Sequence, residues 1–420
     1  MGTIGKSDCD DKMGWPYAYQ QLPDLIDHKN KPVIIRYMKT NKWQSKRVNT
    51  CVVTIVFALV LAAGKTCASD TMLAKRFPEL HNYFNSFEVI HAAVFEEIVQ
   101  TNTSPMSNIG KVQLRESLTE LAKDRGSHYH TAGEHLAMLG PFRVFESRAT
   151  PGLLAMSSIY YEDQVAEQAI ALSGVLPPNA VATLKRGRDF QARLIEIYLN
   201  DEISNRKMAV DDAVAEYLAN PEHSVPALPK SSDLLSKHPY AYAFRVGFPQ
   251  LSGLTWASQW LHLAALEVVT SSADNPILMD ERISRVVDVY VEKIARQHSS
   301  LMSLPSDIPT VPVIAPNLYS YHPQAAIIID NLSVLRIVLA DILAHPDVED
   351  SDATIEAVLA RFTDRSADLD SEIDYLTFVL RGGIYNQGGP ALGGLTGNER
   401  NRSREALESP HVGHVPGANF

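Results

Sequence analysis

The sequence predicts a mainly α-helical protein built on long helices, and three observations carry that expectation. Apolar residues recur at three- and four-residue spacing through most of the chain after about Asp70. No stretch sustains the strict apolar–polar alternation of a half-buried strand. One segment, Ala325–Ala344, is a long apolar run at helical length.

Taken in order, Lys111–Asp124, Ile159–Leu172, Asn179–Asn200 and Asp211–Leu218 read as amphipathic helices, followed by Leu251–Val269, Ile283–Met302 and Ala325–Ala344. The last contains Asp330, Asn331, Arg336 and Asp341, which are either solvated edges or buried polar contacts between helices. Pro/Gly/Ser clusters mark loops at Pro177-Pro178, Val225–Ser232 and Pro305–Pro316. The tail from Gly382 is Gly-rich and polar. The expected organisation is a leader over 1–37, a possible signal peptide over 38–69, an N-terminal helical part over 70–240, a central and C-terminal bundle over 241–382, and the tail over 383–420.

Composition narrows the function. A net charge of −11, from 38 basic and 49 acidic residues, argues against a dedicated nucleic-acid binder. With 45% hydrophobic residues, the 420-residue chain can build a large core. Three cysteines, Cys9, Cys51 and Cys67, cannot make a disulfide framework and lack metal-ligand spacing. The run Cys51–Ala63 is shorter than the roughly twenty residues of a membrane span. Lys39, Lys42, Lys46 and Arg47 precede it, and Thr66-Cys67-Ala68 follow it. That order reads as a secretory signal starting at Met38, with a buried strand or helix as the alternative.

The most informative stretch is Tyr242–Leu278. Tyr-x-x-Arg (Tyr242, Arg245) is followed by Pro249-Gln250, Gly253, a helix, then Ser271 and Asp274-Asn275-Pro276. In this order the pattern resembles the aromatic amino acid ammonia-lyase family, the histidine and phenylalanine ammonia-lyases. Weaker echoes are Tyr129–Leu139, Leu176–Ala192, Val225–Leu234, Asp330–Ala344, and Asp364-Arg365 followed by Asp370 and Ile373. The resemblance implies an ammonia-lyase/fumarase-type helical fold, a homotetramer, a cytoplasmic location and a small amino acid as substrate; the signal, if used, implies a secreted or periplasmic one. It also implies elimination of ammonia from histidine, phenylalanine or tyrosine. Arginine grips carboxylates through a two-pronged fork, so Arg245 would hold the substrate carboxylate. Tyr129 would take the β-proton, and Tyr242 would line the pocket.

The family's electrophile is a methylidene-imidazolone made by cyclising an internal Ala-Ser-Gly. This chain has no Ala-Ser-Gly. The corresponding place reads Lys230-Ser231-Ser232, so Ser231 and Ser232 mark the expected prosthetic-group region. Both small flanking residues are replaced, and glycine's unhindered backbone is what eases cyclisation. The long segment that separates this region from Tyr-x-x-Arg in the family shrinks here to the run between Asp233 and Tyr242. Two further readings therefore stand beside the lyase: a catalytically inactive relative or truncated gene product serving as a helical scaffold, and a metalloprotein. The latter rests on His128, His130 and Glu134, whose His-x-His-x-x-x-Glu spacing resembles the first cupin motif. That motif needs adjacent strands, and the preceding residues read as helix.

Overall fold

The structure is a computed structural model. It describes residues 71–123, 140–296, 308–380 and 391, together with two short strands. The chain divides into two units, Met1–Val53 and Thr54–Phe420. In the first, β1 (Ile26–Asp27) pairs antiparallel with β2 (Lys31–Pro32). Strands in this stretch are not foreseen by the helical reading, which begins at Asp70. The segment Cys51–Ala63, residue Met38 and the 383–390 and 392–420 parts of the tail lie outside the described residues.

The described part of the second unit is helical. In chain order it holds α1 (Met72–Arg76), α2 (Pro78–Thr103), α3 (Asn108–Lys123), α4 (Arg143–Ser157), α5 (Asp163–Ser173) and α6 (Pro178–Leu199). Then come α7 (Arg206–Leu218), α8 (Asp233–Ser236), α9 (Ala243–Gly247), α10 (Pro249–Ser271) and α11 (Pro276–Arg296). The series ends with α12 (Val311–Ile314), α13 (Pro316–Tyr321), α14 (Pro323–Ala344), α15 (Ser351–Thr363) and α16 (Glu372–Leu380).

Local chemistry sets these boundaries. Pro78, Pro178, Pro249, Pro316 and Pro323 each stand at a first turn, where the missing N–H costs nothing. Gly174 ends α5 at φ 64°, the left-handed conformation a helix stop favours. Asn275 caps α11 by accepting from Leu278 N at 3.1 Å, so the Asp-Asn-Pro of the motif is the turn from α10 into α11.

The helices α2, α6, α10 and α14 touch one another and form the centre. Along α14 every residue from Ala325 to Ser333 is buried, and α10 is buried from Gly253 to Thr270. One hydrophobic cluster runs from Leu73 to Phe362, across the expected division at 240/241. Close approach of α6 to α14 depends on Gly187, where a Cβ would meet Leu332 Cδ1 at 2.7 Å. Among the described residues no helix is long and apolar enough to cross a membrane.

The polar residues of α14 are buried contacts rather than solvated edges. Asp330 accepts from Val311 N at 2.9 Å and from the Tyr375 hydroxyl at 2.6 Å. Asn331 receives Lys230 N and donates to the carbonyls of Pro226 and Leu228, which fixes the loop over 226–230. Arg336 turns to α2 and Asp341 to α9.

Candidate functional site

Tyr242 and Arg245 meet as the motif spacing suggests. Tyr242 precedes the short helix α9 and takes φ 71°, a left-handed conformation uncommon for an aromatic residue. Such a backbone persists only where its surroundings hold it. Here the holder is Asp341, fully buried on α14. Its Oδ2 accepts from Tyr242 N at 3.1 Å and its Oδ1 from Phe244 N at 2.8 Å. Two donors at the start of a helical turn thus grip one carboxylate.

Two further groups face the same carboxylate without hydrogen-bonding it. His238 Nε2 is 3.5 Å from Asp341 Oδ2, and Arg245 Nη2 is 3.6 Å from it. The Arg245 guanidinium lies 4.1 Å from the centre of the Tyr242 ring, a cation–π contact. Arg245 Nε and Nη2 are buried with no hydrogen-bond partner among the described residues, as are both ring nitrogens of His238. Nε and Nη2 are neighbouring donors on one edge of the guanidinium, the edge that grips carboxylates side-on. Tyr240 packs edge-on against His345 at 5.1 Å, and burial lowers the His345 pKa, so this imidazole stays neutral beside the cluster.

The other motif residues are structural. Gln250 N and Leu251 N, at the start of α10, donate to Glu146 Oε1 at 2.9 and 3.1 Å. Burial pushes the Glu146 carboxyl up to about 8, with the charge of Glu97 adding to the rise. The Gln250 side chain accepts from the Thr150 hydroxyl at 3.0 Å. Ser271 bonds back to the Glu267 carbonyl at 2.7 Å.

Ser231 and Ser232 lead into α8, with Ser232 already at helical dihedrals (φ −57°, ψ −18°), and the segment is pinned from both sides. Lys230 forms an isolated antiparallel bridge with Leu369. Ser231 N donates to the Asp368 carbonyl at 2.7 Å and Ser232 N to Asp370 Oδ2 at 3.0 Å. The Lys230 ammonium donates to the carbonyls of Arg361, Asp364 and Ala367, tying this segment to the end of α15. The nitrogen of Ser232 is the one that cyclisation would need, and it is already committed to Asp370. The residues at 230–232 therefore do not fit the methylidene-imidazolone that the resemblance implies.

Tyr129, His128, His130 and Glu134 lie outside the described residues. Among the described residues, no group of three or more His, Cys, Asp or Glu is placed to hold a metal ion. Reading the sequence misses His238 and the role of Asp341. Nothing near His238 marks it. Asp341 is visible as a charge in an apolar helix, which is the one signal available. No family model, no curated protein and no solved structure matches the chain.

Proposed function

We propose that the chain binds a small α-amino acid at the cluster of His238, Tyr242, Arg245 and Asp341, without eliminating ammonia from it. One observation carries this reading. The side-on edge of Arg245 is buried and makes no hydrogen bond among the described residues, while Asp341, 3.6 Å from Nη2, accepts backbone N–H groups on both oxygens. A buried donor without a partner costs about 1–3 kcal/mol, and a ligand carboxylate on that edge would recover it. Charge supports the same class of ligand. Arg245 and Asp341 sum to zero, so a zwitterion can join them without leaving an unbalanced charge in a dry site. Tyr242 and Tyr240 supply aromatic surface beside it.

The resemblance to the ammonia-lyases supports the ligand class and the role of Arg245. The pinned segment over 230–232 supports the inactive-relative reading over the lyase itself.

The test is calorimetric titration of the full chain with phenylalanine, histidine and tyrosine separately, with ultraviolet absorbance followed on the same solutions. The expected result is binding of at least one of the three, weakened tenfold or more in Arg245→Gln, and no rise of a conjugated-acid band. A rising band abolished by Arg245→Ala would restore the lyase and overturn the non-eliminating reading. No binding of any of the three would overturn the proposal as a whole.

A further inference from the structure

On the opposite side of α14 lies a second buried polar centre. Each of the four central helices contributes a pair of polar residues three positions apart: Glu88 and His91 on α2, Arg188 and Gln191 on α6, Gln259 and His262 on α10, Ser333 and Arg336 on α14. Three-residue spacing puts each pair on one helix face. Polar sites in helical bundles are built in this way, from facing helices.

We propose that this centre is a second ligand site, which takes a small organic monoanion: a carboxylate carried on an apolar, ring-sized body.

The first argument is charge. Arg336 is 5% exposed, and its nearest carboxylate oxygen, Glu88 Oε1, is 3.9 Å away, too far for a hydrogen bond. Arg188 shares the centre and, among the described residues, makes one side-chain bond, to Asn85 Oδ1 at 3.1 Å. Asp163 stands at the rim, occupied by Asn85 Nδ2 at 2.8 Å and His81 Nε2 at 2.7 Å. The two imidazoles add no charge at neutral pH. Burial, with the positive charge of Arg336 behind it, holds His91 and His262 at about 3. Arg336 is thus buried with its ion-pair partner Glu88 out of hydrogen-bond reach, and half-buried Arg188 adds a second guanidinium beside it. A buried charge without hydrogen-bonded compensation is costly. A ligand carboxylate would supply the oxygens that Glu88 does not, with one negative charge where a phosphate dianion would bring two.

The second argument is the donors. Arg336 Nε, Arg188 Nη1 and Gln191 Nε2 are buried with no hydrogen-bond partner among the described residues. All are donors, and a carboxylate is acceptor-only. His91 Nδ1, also buried without a partner among the described residues, can donate from its neutral ring as well, so the unmet atoms of these four pairs share one need, an acceptor.

The third argument is the wall. Phe87 lies beneath Arg336, 5.7 Å from its carbon to the ring centre. Phe84 stacks on His262 at 3.9 Å, and Phe87 lies 5.2 Å from the same imidazole. Flat apolar surfaces beside a charge receptor select a flat apolar body.

Benzoate is the probe, with benzamide as its neutral isostere and potassium chloride at matched ionic strength as control. Calorimetry and thermal unfolding of the full chain should show benzoate binding and raising the melting temperature. Benzamide should bind at least tenfold more weakly, and chloride should give no shift. Arg188→Gln, at a half-buried position that the fold tolerates better than Arg336, should weaken benzoate at least tenfold. In Arg245→Gln, which removes the carboxylate fork of the amino-acid cluster, benzoate should still bind and still raise the melting temperature. The proposal is overturned if benzoate does not bind, if benzamide matches it, or if Arg188→Gln alters only the ligand-free melting temperature. Loss of benzoate binding in Arg245→Gln would equally overturn it, because the two centres would then be one.

Discussion

Arg336 and Asp341 sit on the same helix less than two turns apart, and both are almost completely buried. Asp341 is surrounded by donors that the chain itself supplies: two backbone N–H groups within hydrogen-bond distance, then Arg245 and His238 just beyond it. Its charge is balanced and its oxygens are taken. Arg336 faces one carboxylate at 3.9 Å, a second guanidinium and two neutral imidazoles. Its ion-pair partner stands out of hydrogen-bond reach and its Nε is unmatched. The contrast separates two kinds of buried polar group. One is an internal brace that holds the strained Tyr242 backbone. The other is internally incomplete, and an outside acceptor finishes it.

The largest effect should come from breaking the incomplete centre. Arg336→Met leaves Glu88 buried without a counter-charge and should cost about 3–5 kcal/mol in urea unfolding. Adding Glu88→Gln should recover most of that loss, because replacing a whole buried pair is far cheaper than removing one member. A double variant no more stable than the single one would break the picture of a coupled pair.

Asp341→Asn tests the brace. It leaves one helix-turn N–H without its acceptor and Arg245 without its counter-charge. The expected cost is about 2–4 kcal/mol, together with weaker amino-acid binding. An unchanged unfolding midpoint would mean that the Tyr242 conformation does not depend on Asp341.

Acid titration also distinguishes the Arg336 centre. His91 has a folded pKa of about 3, below its unfolded value near 6.5. The stability tied to its neutral form is therefore complete above pH 6.5 and is lost as pH falls toward 3. His91→Phe should remove about one proton's worth of that slope, about 1.4 kcal/mol per pH unit in this window. Glu146 has the opposite sign. Its folded pKa of about 8 lies above the unfolded value, so its contribution is complete below about pH 4 and is lost as pH rises toward 8. Glu146→Gln should flatten stability between pH 4 and 8 and leave the acid limb alone. The smallest effect is expected at the packing that brings α6 to the centre. Gly187→Ala forces a methyl against Leu332 and should cost about 1–3 kcal/mol in the same unfolding measurement, with weaker benzoate binding.

Much of the fold was legible because burial imposes a period. The long α6, α10 and α14 follow from apolar spacing, and their starts follow from proline. Tyr242 and Arg245 could be paired because a spacing of three across the start of one short helix brings them together. What lay beyond reach was long-range. Asp341 becomes a brace only by meeting an N–H group 99 positions earlier in the chain. Arg336 reads equally well as a snorkelling edge until α2 is known to lie across it. The neutral histidines are ordinary polar letters in sequence, and only burial between four helices fixes their state. The strands β1 and β2 are too short to show a period at all.

The most direct measurement is a competition in calorimetry: the full chain saturated with whichever amino acid binds, then titrated with benzoate. Two separate centres on opposite sides of α14 predict a benzoate affinity unchanged by the bound amino acid. Displacement of one ligand by the other would contradict the account, and would merge the braced and the incomplete centres into a single site.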